Sequence, residues 1–113
     1  FHHKVLMINI GQTATEYNDI YEAVHYAWVI DPKRASNAQY ILAMRQGLVI
    51  GVFVAEKWLT ANQENFPNRI PVAGRWGFIG HPATDDVALL YMRKRLPDKM
   101  KKKGASNHVR YEL

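Results

Sequence analysis

Several cations in this sequence stand beside an aromatic residue, a pairing that suits contact with unpaired nucleic acid. The pairs are Lys57-Trp58, Arg75-Trp76 and Arg110-Tyr111, with Tyr26 and Trp28 shortly before Lys33 and Arg34. Cations hold phosphates while aromatic faces stack on bases, and each stack contributes about 1–3 kcal/mol. The competing interpretation is structural: Trp28 and Trp76 have apolar neighbours typical of a core, whereas Trp58 follows a charged pair and favours partial exposure.

A basic run, "RKRLPDKMKKK", occupies residues 93–103 and holds seven positive charges and one acid. The whole chain has a formal net charge of +5, so the rest of it is close to neutral. Such asymmetry attracts polyanions, nucleic acid first among them, although a solvated surface explains a short lysine-rich run equally well. Pro97 disfavours one continuous basic helix through the run.

Residues that could support catalysis or bind a metal do not form a recognisable motif. The sequence contains no cysteine, which removes disulfides, thiolate nucleophiles and cysteine-based zinc sites. Neither a phosphate-binding glycine loop nor a nucleophile elbow is present. The pair Asp85-Asp86 is explained by the start of a helix, where negative charge is favourable. His25 and His81 lack partners at the spacing of metal ligands. We therefore predict no catalytic residue, no metal and no cofactor.

The elements that must position these residues alternate between short apolar runs and a few helical segments. The predicted order is a strand over 4–10, an amphipathic helix over 13–28, a turn or short helix over 31–38, strands over 40–45 and 48–59, a loop over 60–74, a strand over 75–80, a short helix from about Thr84 and a final strand over 107–113. Gly51 indicates a bulge or a close backbone approach. The second strand of the hairpin is continuously apolar, which indicates that other parts of the protein cover both of its faces.

Length, composition and the order of the elements predict one α+β domain over residues 1–113, built on a small curled sheet. An N-terminal amphipathic helix and short flanking helices accompany the sheet. The sequence has neither a secretory signal nor an apolar run long enough to cross a bilayer, so we expect a cytoplasmic protein without a membrane partner. A homodimer stays open as an alternative, although the sequence reveals no self-complementary surface.

Taken together, several segments of residues 21–113 resemble small bacterial and phage domains of the PUA-like superfamily, which includes PUA, ASCH and EVE domains. The resemblance is carried by Trp28 with "KRA", the hairpin, "RWGF", "KRLP" and the segment from Asn107 to Tyr111. It implies a small curled mixed sheet or pseudo-barrel with helices beside it. It also implies recognition of RNA or DNA, sometimes of a modified base held between aromatic side chains. Met92 departs from the pattern, because a glycine is expected there before Lys94.

The leading hypothesis is a non-catalytic nucleic-acid-binding module that prefers RNA or an exposed base held in a basic aromatic cleft. Its predicted contact residues are Trp28, Arg34, Trp58, Arg75, Lys94, Arg95, Asn107 and Arg110. One alternative is a protein-interaction or regulatory accessory domain. A third is a small nuclease or base-modifying enzyme that uses Asp85, Asp86 or Glu56, although nothing in the sequence joins these carboxylates in one site.

Overall fold

Five strands form one mixed sheet in the part of the chain that the computed structural model describes, namely residues 3–11, 19–95 and 108–113. Across the sheet the order is β4-β3-β2-β1-β5. The strands are β1 (Val5–Asn9), β2 (Tyr40–Arg45), β3 (Leu48–Thr60), β4 (Trp76–Pro82) and β5 (Val109–Glu112), and the helices are α1 (Ile20–Val24), α2 (Pro32–Ala35) and α3 (Asp85–Tyr91). The α+β class and the predicted order of the elements are confirmed.

The sheet is mixed because β1 and β2 run parallel, whereas its other neighbouring strands pair antiparallel. β2 and β3 form the predicted hairpin. Gln46 and Gly47 connect them with φ angles of 52° and 76°. Two successive positive φ angles are typical of a type I′ turn, whose twist matches that of the flanking strands.

Gly51 marks the bulge that the sequence predicts, and the atoms that approach it closely belong to side chains. The pairing between β2 and β3 shifts there, since Ala43 faces Gly51 while Met44 faces Val49, which leaves Ile50 as the extra residue of a bulge. A β-carbon on Gly51 would lie 3.0 Å from Cγ2 of Ile20, which is tighter than an ordinary contact. The missing side chain therefore lets α1 approach the sheet.

Apolar side chains cover both faces of the sheet, as the continuous apolar sequence of β3 predicts for its first half. One face buries Leu6, Ile41, Phe53 and Phe78 beneath α1, Trp28 and α2. On the opposite face, α3 contributes Tyr91 to a second group of buried residues. The strand residues of this group are Val5, Met7, Leu42, Met44, Val49 and Val52. Fully burying one such large side chain contributes about 1.5–3 kcal/mol. In the described residues, no helix is long and apolar enough to cross a membrane.

The N-terminal helix ends earlier than the sequence predicts. Asp19 caps α1 by accepting a hydrogen bond from the Tyr21 backbone N–H at 2.9 Å, and the helix stops at Val24. The earlier part of the predicted helix, over residues 13–18, lies outside the described residues. Trp28 does not continue the helix; its indole N–H donates to the Val24 carbonyl at 2.7 Å. It thereby satisfies a carbonyl that the end of the helix leaves without a partner.

The residues after α1 pair instead with the outer edge of β4. Trp28 and Trp76 exchange two backbone hydrogen bonds, of 2.8 and 2.9 Å, and the Phe78 N–H donates to the His25 carbonyl at 2.8 Å. The Gly80 N–H donates to the Tyr21 hydroxyl at 3.0 Å. Because this edge is occupied, β4 does not pair with β5. The sheet is therefore not closed into a barrel, unlike the predicted pseudo-barrel.

His25 lies at this junction in a surround of aromatic rings. Its ring stacks on Tyr21 with centroids 4.7 Å apart and packs near Tyr26, Phe66 and Phe78. Burial lowers the pKa of His25 below its ordinary value of 6.5, and the positive charge of Arg69 acts in the same direction. A hydrogen bond to the Tyr21 carbonyl and the charge of Glu22 oppose the shift without reversing it. The folded protein therefore favours the neutral imidazole.

We expect the free energy of unfolding to fall as the pH drops from about 7.5 to about 5.5, because the unfolded chain then binds a proton at His25 more readily than the folded chain does. The stability that His25 contributes is complete above its unfolded pKa of 6.5 and is lost as the pH falls through its lower folded value. Urea unfolding at the two pH values measures this loss. His25→Asn should reduce it, and the same substitution at the exposed His81 should leave it in place. An equal loss in the native and His25→Asn proteins would contradict the assignment.

Candidate nucleic-acid interface

Four cations meet at the turn between β2 and β3, and we refer to Arg45, Arg93, Lys94 and Arg95 as the hairpin cluster. Backbone hydrogen bonds fix the chain after α3 against β3: the Arg93 N–H donates to the Val49 carbonyl at 2.8 Å, and the Val49 N–H donates to the Lys94 carbonyl at 3.1 Å. Arg95 forms a β-bridge with Leu48. Arg45 ends β2 directly opposite Leu48. The cluster therefore stands on ordered backbone.

The charges of the hairpin cluster are not neutralised within the described residues, where none of the four forms an ion pair with a carboxylate. Arg93, Lys94 and Arg95 are exposed. Arg45 is half-buried, and its Nε is covered without a hydrogen-bond partner. Four neighbouring cations without bound acids repel one another, so an anion that bridges them would lower the electrostatic energy.

Arg45 is the member of this cluster that sequence reasoning misses. It stands about fifty residues before the basic run, at the end of an apolar strand. Pairing in the folded chain brings the two segments together, since Leu48 pairs with both Arg45 and Arg95. The sequence signal for Arg45 was its position directly before the two-residue turn "QG". A residue there lies at the turn end of the hairpin, next to any segment that contacts the start of β3.

The tryptophans form a second group at the other end of β3. Trp58 faces Phe78 across the β3–β4 pair with ring centroids 5.1 Å apart, and Trp76 pairs with both Thr60 and Trp28. We refer to Trp28, Trp58 and Trp76 as the tryptophan cluster. Trp28 is buried, as the structural interpretation predicts, whereas Trp58 and Trp76 are each partly exposed.

Trp58 carries an unusual donor. Its Nε1 atom is covered and has no hydrogen-bond partner. Most buried polar atoms have a partner, since a covered donor without an acceptor costs about 1–3 kcal/mol. The indole of Trp28, by contrast, satisfies its N–H within the fold. Trp58 is therefore the tryptophan whose buried N–H has no acceptor in the described part of the chain.

Arg75 is the cation of the tryptophan cluster. It immediately precedes Trp76 and is exposed. Its Nη1 lies 3.5 Å from the carbonyl oxygen of Ala27, the neighbour of Trp28. This places one charged side chain next to two of the three tryptophans, as the pattern Arg75-Trp76 predicts.

The remaining predicted contact residues lie elsewhere. Arg34 stacks over the Tyr111 ring, with Cζ 4.0 Å from the ring centroid, while the Tyr111 hydroxyl accepts from the Asp31 N–H at 2.8 Å. Arg110 belongs to the opposite face of β5, where its Nε lies 3.2 Å from Oε1 of Glu112. Asn107 lies outside the described residues, as do residues 96–103 of the basic run.

The predicted residues therefore occupy separate places. Lys94 and Arg95 join the hairpin cluster at Leu48, whereas Trp58 stands ten residues further along β3. Trp28 and Arg75 lie near Trp58, since Trp28 pairs with β4 at Trp76. Aromatics and cations thus divide between the two ends of one strand.

The backbone before Lys94 also differs from expectation. Met92 has an ordinary φ of −58°, so its position does not require glycine. The residue with left-handed backbone is Arg93, with a φ of 62°. A glycine would relieve strain one position later than the resemblance suggests.

The candidate catalytic carboxylates have structural positions. Asp85 and Asp86 begin α3, where negative charge favours a helix N-terminus. The Thr84 hydroxyl donates to Asp86 and lowers the pKa of its carboxyl group. Glu56 is exposed at a register shift in β3. Among the described residues, no group of three His, Cys, Asp or Glu side chains could hold a metal ion.

Comparisons with family models, with curated proteins and with solved structures find no match for this chain.

Proposed function

We propose that this chain is a non-catalytic nucleic-acid-binding module that prefers RNA or an exposed base, with a PUA-like architecture and a cytoplasmic location. The observation that carries the proposal is the hairpin cluster, in which four cations stand together without a described carboxylate partner. A phosphate backbone supplies the regularly spaced negative charges that such a cluster requires.

Phosphate contact at this cluster is favoured by its mixture of side chains. Arginine presents a planar fork of donors that matches phosphate oxygens, and Lys94 adds a mobile point charge. Arg45 is partly covered by protein, so its charge is screened less by water than that of a fully exposed side chain. The hairpin cluster is therefore suited to the part of the RNA affinity that does not depend on base sequence.

Base contact is assigned to the other end of β3. Trp58 offers a partly exposed ring, which is suited to stacking on a base. Trp76 and Arg75 extend the same region. Because the two groups lie at opposite ends of one long strand, the ligand that engages both is a strand of several nucleotides rather than one nucleotide.

The direct test is titration of the protein with labelled single-stranded RNA at low and at raised salt. We expect binding at low salt, and an affinity that falls as a power of the salt concentration because bound phosphates release counterions. Equal concentrations of duplex of the same sequence should bind more weakly, since paired bases cannot stack on Trp58. Absence of binding to either ligand at low salt would remove the proposal.

Two tryptophan variants provide the matched control for base contact. Trp58→Phe replaces the indole by a smaller ring, so affinity should fall about fivefold through lost stacking area. The covered N–H that it removes has no acceptor, which offsets part of the packing that the smaller ring loses. Trp28→Phe removes a satisfied N–H bond to Val24, so stability should fall by about 1 kcal/mol while affinity is retained. Unchanged RNA affinity in Trp58→Phe would exclude the Trp58 ring from the interface.

A further inference from the structure

Residues 62–71, which we call the strap, lie between the end of β3 and the start of β4 and are mostly exposed. Two backbone hydrogen bonds close the base of the strap: the Ala61 N–H donates to the Arg75 carbonyl at 2.9 Å, and the Val72 N–H donates to the Ala61 carbonyl at 3.0 Å. Every residue of the strap is described, and Phe66 is its one buried side chain. A segment with so little buried apolar surface detaches more easily than a core strand.

Phe66 packs where α1 meets β4. Its ring centroid lies 5.9 Å from that of His25 and 4.8 Å from that of Tyr26. A β-carbon on Gly77 would lie 2.7 Å from Cζ of Phe66, so the missing side chain on β4 makes room for the ring. The buried anchor of the strap therefore shares one aromatic cluster with His25.

Polar contacts add to this anchor. The Tyr26 hydroxyl donates to the Ile70 carbonyl at 2.7 Å. The Arg69 guanidinium donates to the Glu22 carbonyl at 2.9 Å, and its Cζ lies 4.7 Å from the centroid of the Tyr26 ring. Nη1 of Arg69 also lies 3.8 Å from Oε2 of Glu22. The strap is thus attached beside His25 by one apolar side chain and a few polar contacts.

A second proton on the His25 ring has no partner in this arrangement. Nδ1 lies 3.0 Å from the Tyr21 carbonyl, which can only accept, so the neutral ring carries its hydrogen on Nδ1 and a further proton must bind at Nε2. Within the described residues, Nε2 makes no hydrogen bond. A buried charged donor without an acceptor is costly, so the charged ring requires water.

The charges around His25 couple its protonation to the strap. In the described residues, the titratable or charged groups that face it are Tyr21 and Glu22 of α1, Tyr26 after the helix and Arg69 of the strap, while β4 presents the uncharged Phe78. Burial has the largest effect and lowers the pKa of His25; the charge of Arg69 lowers it further, and that of Glu22 opposes the shift. Removing the strap takes away the cover of Phe66 and the charge of Arg69, and both changes favour the charged imidazole.

We infer that the strap is released from α1 and β4 when His25 takes up a proton, which makes it an acid-sensitive switch. Because release favours protonation, protonation favours release to the same extent. The rest of the fold is held separately: α1 buries Ala23 and Val24, and the Tyr21 hydroxyl accepts from the Gly80 N–H at 3.0 Å. The pairing of β3 with β4 does not involve the strap.

Hydrogen exchange of the native chain without nucleic acid tests this inference independently of the proposed function. NMR gives each amide a protection factor, which is its exchange rate in an unstructured peptide at the same pH divided by the measured rate. The protection of the Phe66, Arg69 and Val72 amides should fall by up to about tenfold from about pH 7.5 to about pH 5.5, because the released imidazole titrates near its ordinary pKa of 6.5. These amides should also be less protected than those of β2 and insensitive to dilute urea, which distinguishes local release from global unfolding.

Substitution of the histidine provides the matched control. His25→Asn cannot take up the proton, so the strap amides should keep the same protection at both pH values. His81→Asn removes an exposed histidine of β4 and should leave the fall in place. Strap amides whose protection is constant with pH in the native chain, or which exchange as slowly as those of β2, would overturn the inference.

Phe66→Ala tests the coupling from the side of the strap. NMR titration of the His25 imidazole should give a pKa below 6.5 in the native chain and a value nearer to 6.5 in Phe66→Ala, because the ring that covers the imidazole is gone. Ile70→Ala changes a side chain of the same strap that is 82% exposed, so it should leave the titration unchanged. Circular dichroism verifies that each variant is folded. The same His25 pKa in the native and Phe66→Ala proteins would contradict the coupling.

Discussion

Lys94→Gln/Arg95→Gln should bind single-stranded RNA about 25-fold more weakly than the native chain at about 0.1 M salt, because two lost phosphate contacts lower the salt slope by about 1.4. Both side chains belong to the hairpin cluster and are exposed, so their replacement leaves the apolar packing unchanged. Fluorescence anisotropy over a series of salt concentrations gives the affinity and the slope together.

The matched control removes the same number of charges elsewhere. Lys4→Gln/Lys33→Gln lowers the net charge equally, and both lysines are exposed. Neither belongs to the hairpin cluster, so this variant should lose only the weak long-range attraction. Equal losses of affinity in the two double variants would mean that overall charge, and not the hairpin cluster, holds the RNA.

Gly80→Ala should lower the free energy of unfolding by roughly 3 kcal/mol, near the upper end of what overpacking a close contact usually costs. A β-carbon at this position would lie 1.8 Å from the backbone oxygen of Val54. That atom belongs to β3 and cannot rotate away, so the two strands must separate near the register shift that follows Ala55. Thermal unfolding should show a melting temperature lower by roughly 10–20 °C.

Gly74→Ala distinguishes this clash from the general effect of adding a methyl group. Gly74 has open space around its missing side chain but a φ of 76°, so alanine should lower stability there by about 1 kcal/mol through backbone strain alone. If Gly80→Ala were no more destabilising than Gly74→Ala, the close pairing of β3 and β4 at this point would be wrong.

Local sequence patterns were sufficient to predict most of the strands. The apolar runs before and after "QG" form the hairpin, because a two-residue turn with glycine fixes which residues pair. In the closing strand, Val109 and Tyr111 pack against the core while Arg110 belongs to the opposite face, as alternation predicts. These predictions depend on neighbours within a few positions, and the chain itself supplies that information.

Predictions that depended on distant partners succeeded less often. Spacings of three and four residues place Tyr21, Val24 and Trp28 on one helical stripe, yet Trp28 leaves the helix because Trp76 offers its backbone two hydrogen bonds. The helical periodicity of the sequence continues to Trp28, whereas the helix itself ends at Val24 and the next residues pair with β4. Nothing near Trp28 in the sequence identifies β4 as its partner.

The candidate site shows the same division. The pairing of Arg75 with Trp76 is readable from adjacent letters, and the structure places both beside Trp28. The hairpin cluster, in contrast, joins Arg45 to the basic run through Leu48. A run of lysines and arginines in the sequence reveals how much charge is present, but not which isolated cation from another strand will stand next to it.

The occupied edge of β4 bears on how this protein behaves when it is concentrated. An edge strand with free amide groups is a template on which another chain can add a strand, the first step towards amyloid-like growth. Here the amides of Trp76, Phe78 and Gly80 are already bonded within the molecule, and Pro82 has none to offer. A foreign strand would have to displace the segment around Trp28 before it could extend the sheet on that side, so this edge is protected against seeding fibrils.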